Sequence, residues 1–385
     1  MNITTTHESQ IRPPKVEFDK LTARLTADDR HDPAKAKLPP YYPDAPETRN
    51  DWTRYYDLIT AMDDQVADIL NQLSDDGVAD DTVVFFFGDH GRGLPRAKRW
   101  IYDSGLRIPL MIRWPGQIEP NTVRDDLVSF IDFAPTLLSL AGVQIPKYLQ
   151  GQAFLGDQRA EPRQYIFAAR DRMDETYDII RCVRDHRYKY IRNFQPEKPY
   201  AQYIDYMEKM PTMQVMRRFH EEGKLEGTQK LYFLPQKPQE ELYDTQADPH
   251  EVQNLANAPE HRKRLEQMRS ALAKWMDDTK DLGLIPEDDL KERMRPGGEW
   301  AVTETPSVSP KPGAHPGPVT VEIHCPTEGA SIAYATSGKD EPHWKLYTAP
   351  LTIAETTRLR TKACRLGYKD SEITLAEYNV MSKSK

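Results

Sequence analysis

Between residues 48 and about 74, apolar side chains return every third or fourth position: Trp52, Tyr55, Leu58, Ile59, Met62, Val66, Ile69, Leu70 and Leu73. That spacing predicts one helix, closed by Gly77. The next apolar run, Thr82-Val83-Val84-Phe85-Phe86-Phe87, has no polar face. It predicts a strand covered on both sides, as in a parallel sheet flanked by helices. A second short run, "IPLMIRWPG", lies between Pro109 and Pro115, and helix, strand, loop and strand in this order suit a βαβ-type sheet. "SFIDFAPTLLSLAG" then predicts a turn, a proline at a helix start, a short apolar helix and a terminating glycine. Over 179–194, two alternating runs about Asp185 and His186 predict a hairpin. From 259 to 282, Leu265, Met268, Leu272 and Trp275 fall on one side of a charged amphipathic helix whose role is packing.

The pattern changes at 296. Residues 296–318, "PGGEWAVTETPSVSPKPGAHPGP", offer little to bury and predict a semi-rigid linker. Beyond it, "VTVEIHCP", "SIAYATSG", "WKLYTAPLTI", "TRLRTKACRLG" and "ITLAEYNV" are short alternating runs separated by turn residues, which predicts a small β-sandwich. Residues 1–46 are polar and punctuated by proline, and "KLPPYYPDAPE" predicts an extended surface loop.

A chain of 385 residues suits two or three domains. Its net charge is −8 and no basic patch points to a nucleic-acid partner, so an anionic substrate would need a local positive site. The cysteines, Cys182, Cys325 and Cys364, have no C-x-x-C spacing, so neither a zinc knuckle nor a disulfide framework is indicated. Cys325 and Cys364 share one carboxyl-terminal module, where a pair and two reduced thiols are equally open. No apolar run approaches a transmembrane span, and "MNITTTHESQ" has neither the charged nor the apolar region of an export signal.

Candidate chemistry gathers where the all-apolar strand ends. In parallel sheets ligands bind beyond the carboxyl ends of the strands, which is where Asp89 and His90 fall. An oxygen and an imidazole from adjacent positions suit a divalent cation, and equally a turn-capping aspartate beside a pocket-filling histidine. The loop that follows adds Arg92, Arg96, Lys98, Arg99 and Arg107. Cations gathered there would hold a tetrahedral oxyanion and neutralise charge as its ester bond breaks; a solvated basic loop is the plainer reading. His7, among hydroxyls in "TTTHESQ", has on its own the profile of a surface residue.

"TVVFFFGDHGRGLPRAKRWIYDSGLRIPLMIRWPGQI" resembles the sulfatase family of the alkaline-phosphatase-like superfamily. That family's pattern is an apolar strand, [S/G]-D-[H/N]-G, a variable loop, a lysine, Y-[D/E]-[S/G]-G-[I/L]-R-x-P and W-P-G. "TRYYDLITAMDDQVADIL", "SFIDFAPTLLSLAGVQIP" and "LYDTQADPHEVQNLA" extend the likeness over roughly residues 1 to 282. The stretch from about 319 to 380 resembles the carboxyl-terminal β-domain of chitobiases and β-hexosaminidases.

The resemblance implies an α/β fold: a partial alkaline-phosphatase-like sandwich with a mostly parallel sheet and helices on both faces over 1–175. A smaller α+β subdomain over 176–295, the linker 296–318 and the sandwich 319–385 would follow. It makes Asp89 and His90 ligands of a calcium ion and Lys98 the cation on the sulfate and its ester oxygen, with Arg96 as a further substrate contact. His7 would touch the sulfate or the leaving-group oxygen as a general acid, and Arg107 would support the loop through buried charge-assisted hydrogen bonds. The implied substrate is a sulfate ester, or a sulfamate, of a carbohydrate, and the implied location is periplasmic or secreted.

The family's nucleophile is a formylglycine made from the cysteine of C-x-[P/A]-S-R, and no cysteine here lies in that motif. The paired aspartates that complete the family's calcium shell are also missing. The expectation is therefore an amino-terminally truncated sulfatase, inactive alone and poor in calcium affinity. Two other readings are a non-catalytic carbohydrate- or protein-binding protein on a relic core, and a phosphoesterase or phosphonate hydrolase of the same superfamily.

Overall fold

A computed structural model describes residues 1–12, 16–336 and 342–381. The chain divides into two compact units, Met1–Asp281 and Leu282–Lys385.

The first unit opens with short helices α1 (Glu8–Ile11) and α2 (Val16–Leu21), followed by the 30-residue α3 (Pro46–Asp75). Pro46 starts α3 and the predicted stripe faces inward, with Trp52, Leu58 and Ala61 buried. Past Ala61 the stripe is only half-buried. Gly77, in the left-handed region at φ 70°, ends the helix as its spacing predicts.

Strands β1 (Val84–Phe87) and β2 (Leu110–Arg113) enclose the short α4 (Asp103–Leu106). They pair antiparallel, Phe85 opposite Ile112 and Phe87 opposite Leu110, as a two-stranded sheet. This corrects the expected parallel sheet: an all-apolar run fixes a strand but not its partner's direction. The covering is also lighter than predicted. Phe87 is 42% exposed and Met111 57% exposed, although Phe87 packs edge-on to Phe133 at 4.8 Å. Phe133 begins α5 (Phe133–Leu140), which Gly142 at φ 65° closes.

A four-stranded antiparallel sheet then runs in the order β3 (Ile166–Met173), β4 (Thr176–Arg184), β5 (Tyr188–Asn193) and β6 (Glu240–Asp244). The predicted hairpin is β4 and β5, its turn held by Asp185 Oδ1, which accepts from the Arg187 and Tyr188 amides at 2.8 and 2.6 Å. Between β5 and β6 lie α6 (Asp205–Glu208) and α7 (Pro211–Glu221). Alternation gives the sheet two cores. Val183, Tyr190 and Leu242 meet Leu265, Met268 and Leu272 of α8 (Arg262–Asp278), with Trp275 stacked on Phe167. Ile180, Cys182 and Ile191 join a larger cluster with Trp100, Tyr102, Met213 and Met216. Here the antiparallel sheet is covered on both faces, and the mixed α/β class expected from the sequence holds.

The second unit begins with α9 (Glu287–Met294) and forms a two-sheet sandwich. One sheet joins β7 (Ser307–Ser309), β9 (Val319–His324) and β12 (Leu351–Ile353). The other joins β8 (Gly313–His315), β10 (Ser331–Ala335), β11 (Lys345–Leu346), β13 (Thr357–Cys364) and β14 (Thr374–Val380). Val321, Ile323, Ile353, Leu359, Ala376 and Tyr378 fill the space between. Strands β7 and β8 fall inside the stretch read as a linker. Each is a three-residue edge strand, a position where Pro- and Gly-rich sequence is tolerated because one side needs no ladder partner. "WKLYTAPLTI" divides between the two sheets, and the turn predicted after Thr336 lies partly outside the described residues. Among the described residues, no helix is long and apolar enough to cross a membrane.

Candidate active site

The site lies on the loop that joins β1 to β2 and on the chain's first turn of helix. Two loop glycines set its shape by close approach. The Gly91 amide donates to the Gly105 carbonyl at 2.8 Å, and a Cβ on Gly91 would stand 1.9 Å from the Ser104 carbonyl oxygen. Gly93 lies against Glu8, where an added Cβ would stand 2.3 Å from the glutamate's own. The loop is thereby folded on itself and pressed onto the amino-terminal helix.

His7 caps α1, its Nδ1 accepting from the Ser9 amide at 3.3 Å and lying 2.8 Å from Ser9 Oγ. Tyr206 stands edge-on to the imidazole at 6.1 Å. Burial and then the positive charge of Lys98 lower the His7 pKa, with smaller effects from Glu8, His90 and Asp89. The structure thus brings His7, Lys98, Asp89 and His90 within electrostatic reach of one another.

Lys98 Nζ donates to Glu8 Oε1 at 3.0 Å, and Arg99 grips the same carboxylate from Nη1 and Nη2 at 2.9 and 2.8 Å. Glu8 is 3% exposed. Burial alone would raise its pKa, but Arg99 and Lys98 together hold it below the ordinary range. No motif reading singled out Glu8. Its adjacency to His7 was the one signal available, and the charges it answers lie ninety residues away.

Asp89 and His90 sit just past β1, as predicted. The Asp89 carboxylate is 85% exposed, 3.6 Å from His90 Nε2, and His90 Nδ1 lies 2.7 Å from the Gly91 carbonyl. Among the described residues no group of three or more His, Cys, Asp or Glu side chains converges to hold a metal. Two ligands cannot satisfy an ion that takes six to eight, so the residues present do not make a calcium site by themselves.

Two loop arginines are placed differently from expectation. Arg96 was read as a substrate contact, yet it is 4% exposed. Its guanidinium donates to the His250 and Glu251 carbonyls at 3.0 and 2.5 Å and lies between the Tyr41 and Tyr102 rings. It ties the loop to the core. Arg107 is exposed, where buried hydrogen bonds were expected. Both Arg96 and Arg99 have left-handed backbone, φ 58° and 77°, on either side of Lys98. Such strain costs on the order of 1–3 kcal/mol per residue, offset here by the fixed partners of each side chain.

The tyrosine and acid motifs serve as staples. Lys189, fully buried on β5, meets Asp103 Oδ1 at 2.5 Å and Glu251 Oε1 at 2.8 Å. Arg184 adds two bonds to Asp103 at 3.1 and 3.0 Å. Glu241, also fully buried, accepts from Tyr102, Tyr200, Tyr243 and Asn193 at 2.6–3.0 Å. Asn254 Oδ1 accepts from the Leu242 and Ala256 amides at 2.9 Å.

The loop and the β4 and β5 residues that staple it lie within stretches that match known families. A sulfatase family model matches residues 20–143, and a model described as N-sulphoglucosamine sulphohydrolase, C-terminal, matches 88–228. An ulvan-active sulfatase of Formosa agariphila is 44% identical over 88% of this chain and 56% of its own length. The chain belongs to the sulfatase family. Human N-sulphoglucosamine sulphohydrolase is 30% identical over 69% of this chain and 56% of its own, so the sulfatase chain spans about half the length of these curated relatives. A solved 2-O GAG sulfatase structure has 22% identity and a TM-score of 0.44, covering 67% of this chain and 52% of that one. Residues 310–375 match the chitobiase/β-hexosaminidase C-terminal domain.

Within this sulfatase sequence, no cysteine belongs to the site. Cys182 is buried on β4, its thiol pushed by burial up to about 12, and Cys325 and Cys364 lie in the sandwich unit.

Proposed function

We propose that this chain supplies the sulfate-binding side of the active centre of a sulfatase that cleaves sulfate esters or sulfamates of carbohydrates. The observation that carries it is the bond of Lys98 to Glu8, the residue next to His7, with Lys98, Asp89 and His90 all close enough to influence the His7 charge. Lys98 gives one N–H to Glu8, and an ammonium has three, which leaves donors for an anion. Because the Ser9 amide donates to His7 Nδ1, the neutral ring carries its proton on Nε2. With its pKa lowered, His7 at neutral pH is a hydrogen-bond donor to a sulfate or leaving-group oxygen, and becomes a general acid only as pH falls.

The family names of the relatives support the carbohydrate, through the ulvan-active and N-sulphoglucosamine enzymes. No nucleophilic step is derived from these residues, and we expect the chain alone not to hydrolyse sulfate esters. Asp89 and His90 would contribute two ligands to a calcium ion completed from elsewhere.

The test is a titration with sodium sulfate against sodium chloride at equal ionic strength, followed at the His7 ring by NMR. Saturable movement in sulfate that Lys98→Ala abolishes is the expected result. A His7 signal indifferent to sulfate would refute the assignment.

A further inference from the structure

Lys98 can hold an anion only if its charge is not already cancelled, and its nearest neighbour is a buried carboxylate. We infer that Arg99 is a positioning residue that neutralises Glu8 and so leaves the charge of Lys98 available to the substrate. Arg99 itself has no route to a ligand, since its side chain is 6% exposed against 19% for Lys98. Its two N–H groups engage both Glu8 oxygens, the bidentate geometry that best satisfies a carboxylate, while Lys98 reaches only Oε1. Counted together, the three side chains carry one net positive charge, and of the three Lys98 is the most exposed. Without Arg99 they would carry none, and Lys98 would be held by Glu8 alone. The left-handed backbone at Arg99 fits this role, because a strained position is kept where its side chain must point one way. Asp174, 3.4 Å from Arg99 Nε and half-exposed, is a weaker second partner that leaves the count at Glu8 unchanged.

This inference rests on the proposed sulfate contact of Lys98, so the experiment has an arm that needs no sulfate. In the first arm, Lys98 is acylated with acetic anhydride at limiting dose in the intact chain, and its rate is read by peptide mass spectrometry. Arg99→Gln should slow Lys98 at least threefold, because Glu8 then holds the ammonium alone. Glu8→Gln with Arg99→Gln should return the rate to wild type or above. In the second arm, sulfate binding followed at His7 should weaken about tenfold in Arg99→Gln and recover in the double variant.

A Lys98 acylation rate unchanged in Arg99→Gln, or slowed equally in the double variant, overturns the inference. If Arg99→Gln alone does not fold, the double variant is set against Glu8→Gln: faster acylation in Glu8→Gln, where Arg99 keeps its charge, supports the inference, and equal rates overturn it. A wild-type protein that ignores sulfate while the acylation pattern holds would refute the sulfate reading and leave the charge coupling standing.

Discussion

The loop between β1 and β2 holds two groups of charges with opposite fates. Asp103 and Arg96 are drawn into the core, where Lys189, Arg184 and the backbone at 250–251 satisfy them. Asp89 and Lys98 stay at the surface beside His7, Asp89 with most of its carboxylate in solvent. Acidic and basic side chains a few positions apart fix the loop in one case and in the other stay in contact with solvent. Motif membership alone therefore does not say which residues carry chemistry. Burial and the number of satisfied hydrogen bonds do, because a fully paired group has nothing left to offer a substrate.

The largest effect should come from breaking the buried group. Lys189→Met strands Asp103 and Glu251 without their shared cation, and removal of one partner from a buried pair costs about 3–5 kcal/mol. Urea unfolding followed by tryptophan fluorescence should register that loss; a change below ~1 kcal/mol would mean the staple adds little. Next is Glu241→Gln, which replaces an acceptor of four hydrogen bonds by an amide that brings donors of its own. The cost of leaving such groups unmatched is about 1–3 kcal/mol.

The pH dependence follows from Asp103. Burial raises its pKa, but Lys189 and Arg184 outweigh this and pull it down to about 2. A depressed acid adds stability that is present above its unfolded pKa of ~4 and is lost as pH falls toward the folded value. Stability should therefore decline between pH 4 and pH 2, and Asp103→Asn should flatten that decline. Glu251 acts in the opposite sense, since burial, the leading cause, raises it, and Glu251→Gln separates the two contributions.

The smallest effect belongs to the surface group. Asp89→Asn should change stability by no more than ~0.5 kcal/mol. Its signature is electrostatic: Asp89 raises the His7 pKa, so Asp89→Asn should lower the His7 titration midpoint, whereas Lys98→Ala should raise it. Equal midpoints in all three proteins would separate His7 from the tip of β1 and dissolve the proposed site.

Local structure was legible where one residue's neighbours in sequence decide it. The stripe of α3, the β4–β5 hairpin and the position of Asp89 and His90 past β1 all follow from spacing of a few residues. The antiparallel pairing of β1 with β2 was not, because nothing in an all-apolar run records the direction of its partner. Arg96 was misplaced for a related reason. Its acceptors are carbonyls at 250–251, and backbone acceptors leave no side-chain signature for a reader of motifs. Glu8 answers Lys98 and Arg99 across some ninety positions, and only the fold brings them together.

The carboxylate of Glu241 has a consequence for light absorption. Burial first, and the nearby negative charge after it, push the phenols of Tyr102 and Tyr243 far above their ordinary range, and Tyr200 shares the same setting. Of the 19 tyrosines in the chain, these would withhold their protons from hydroxide for as long as the first unit stays folded. An alkaline spectrophotometric titration should then climb in two stages, the second coinciding with unfolding and carrying these three phenols together with those of Tyr42 and Tyr232, which burial also raises.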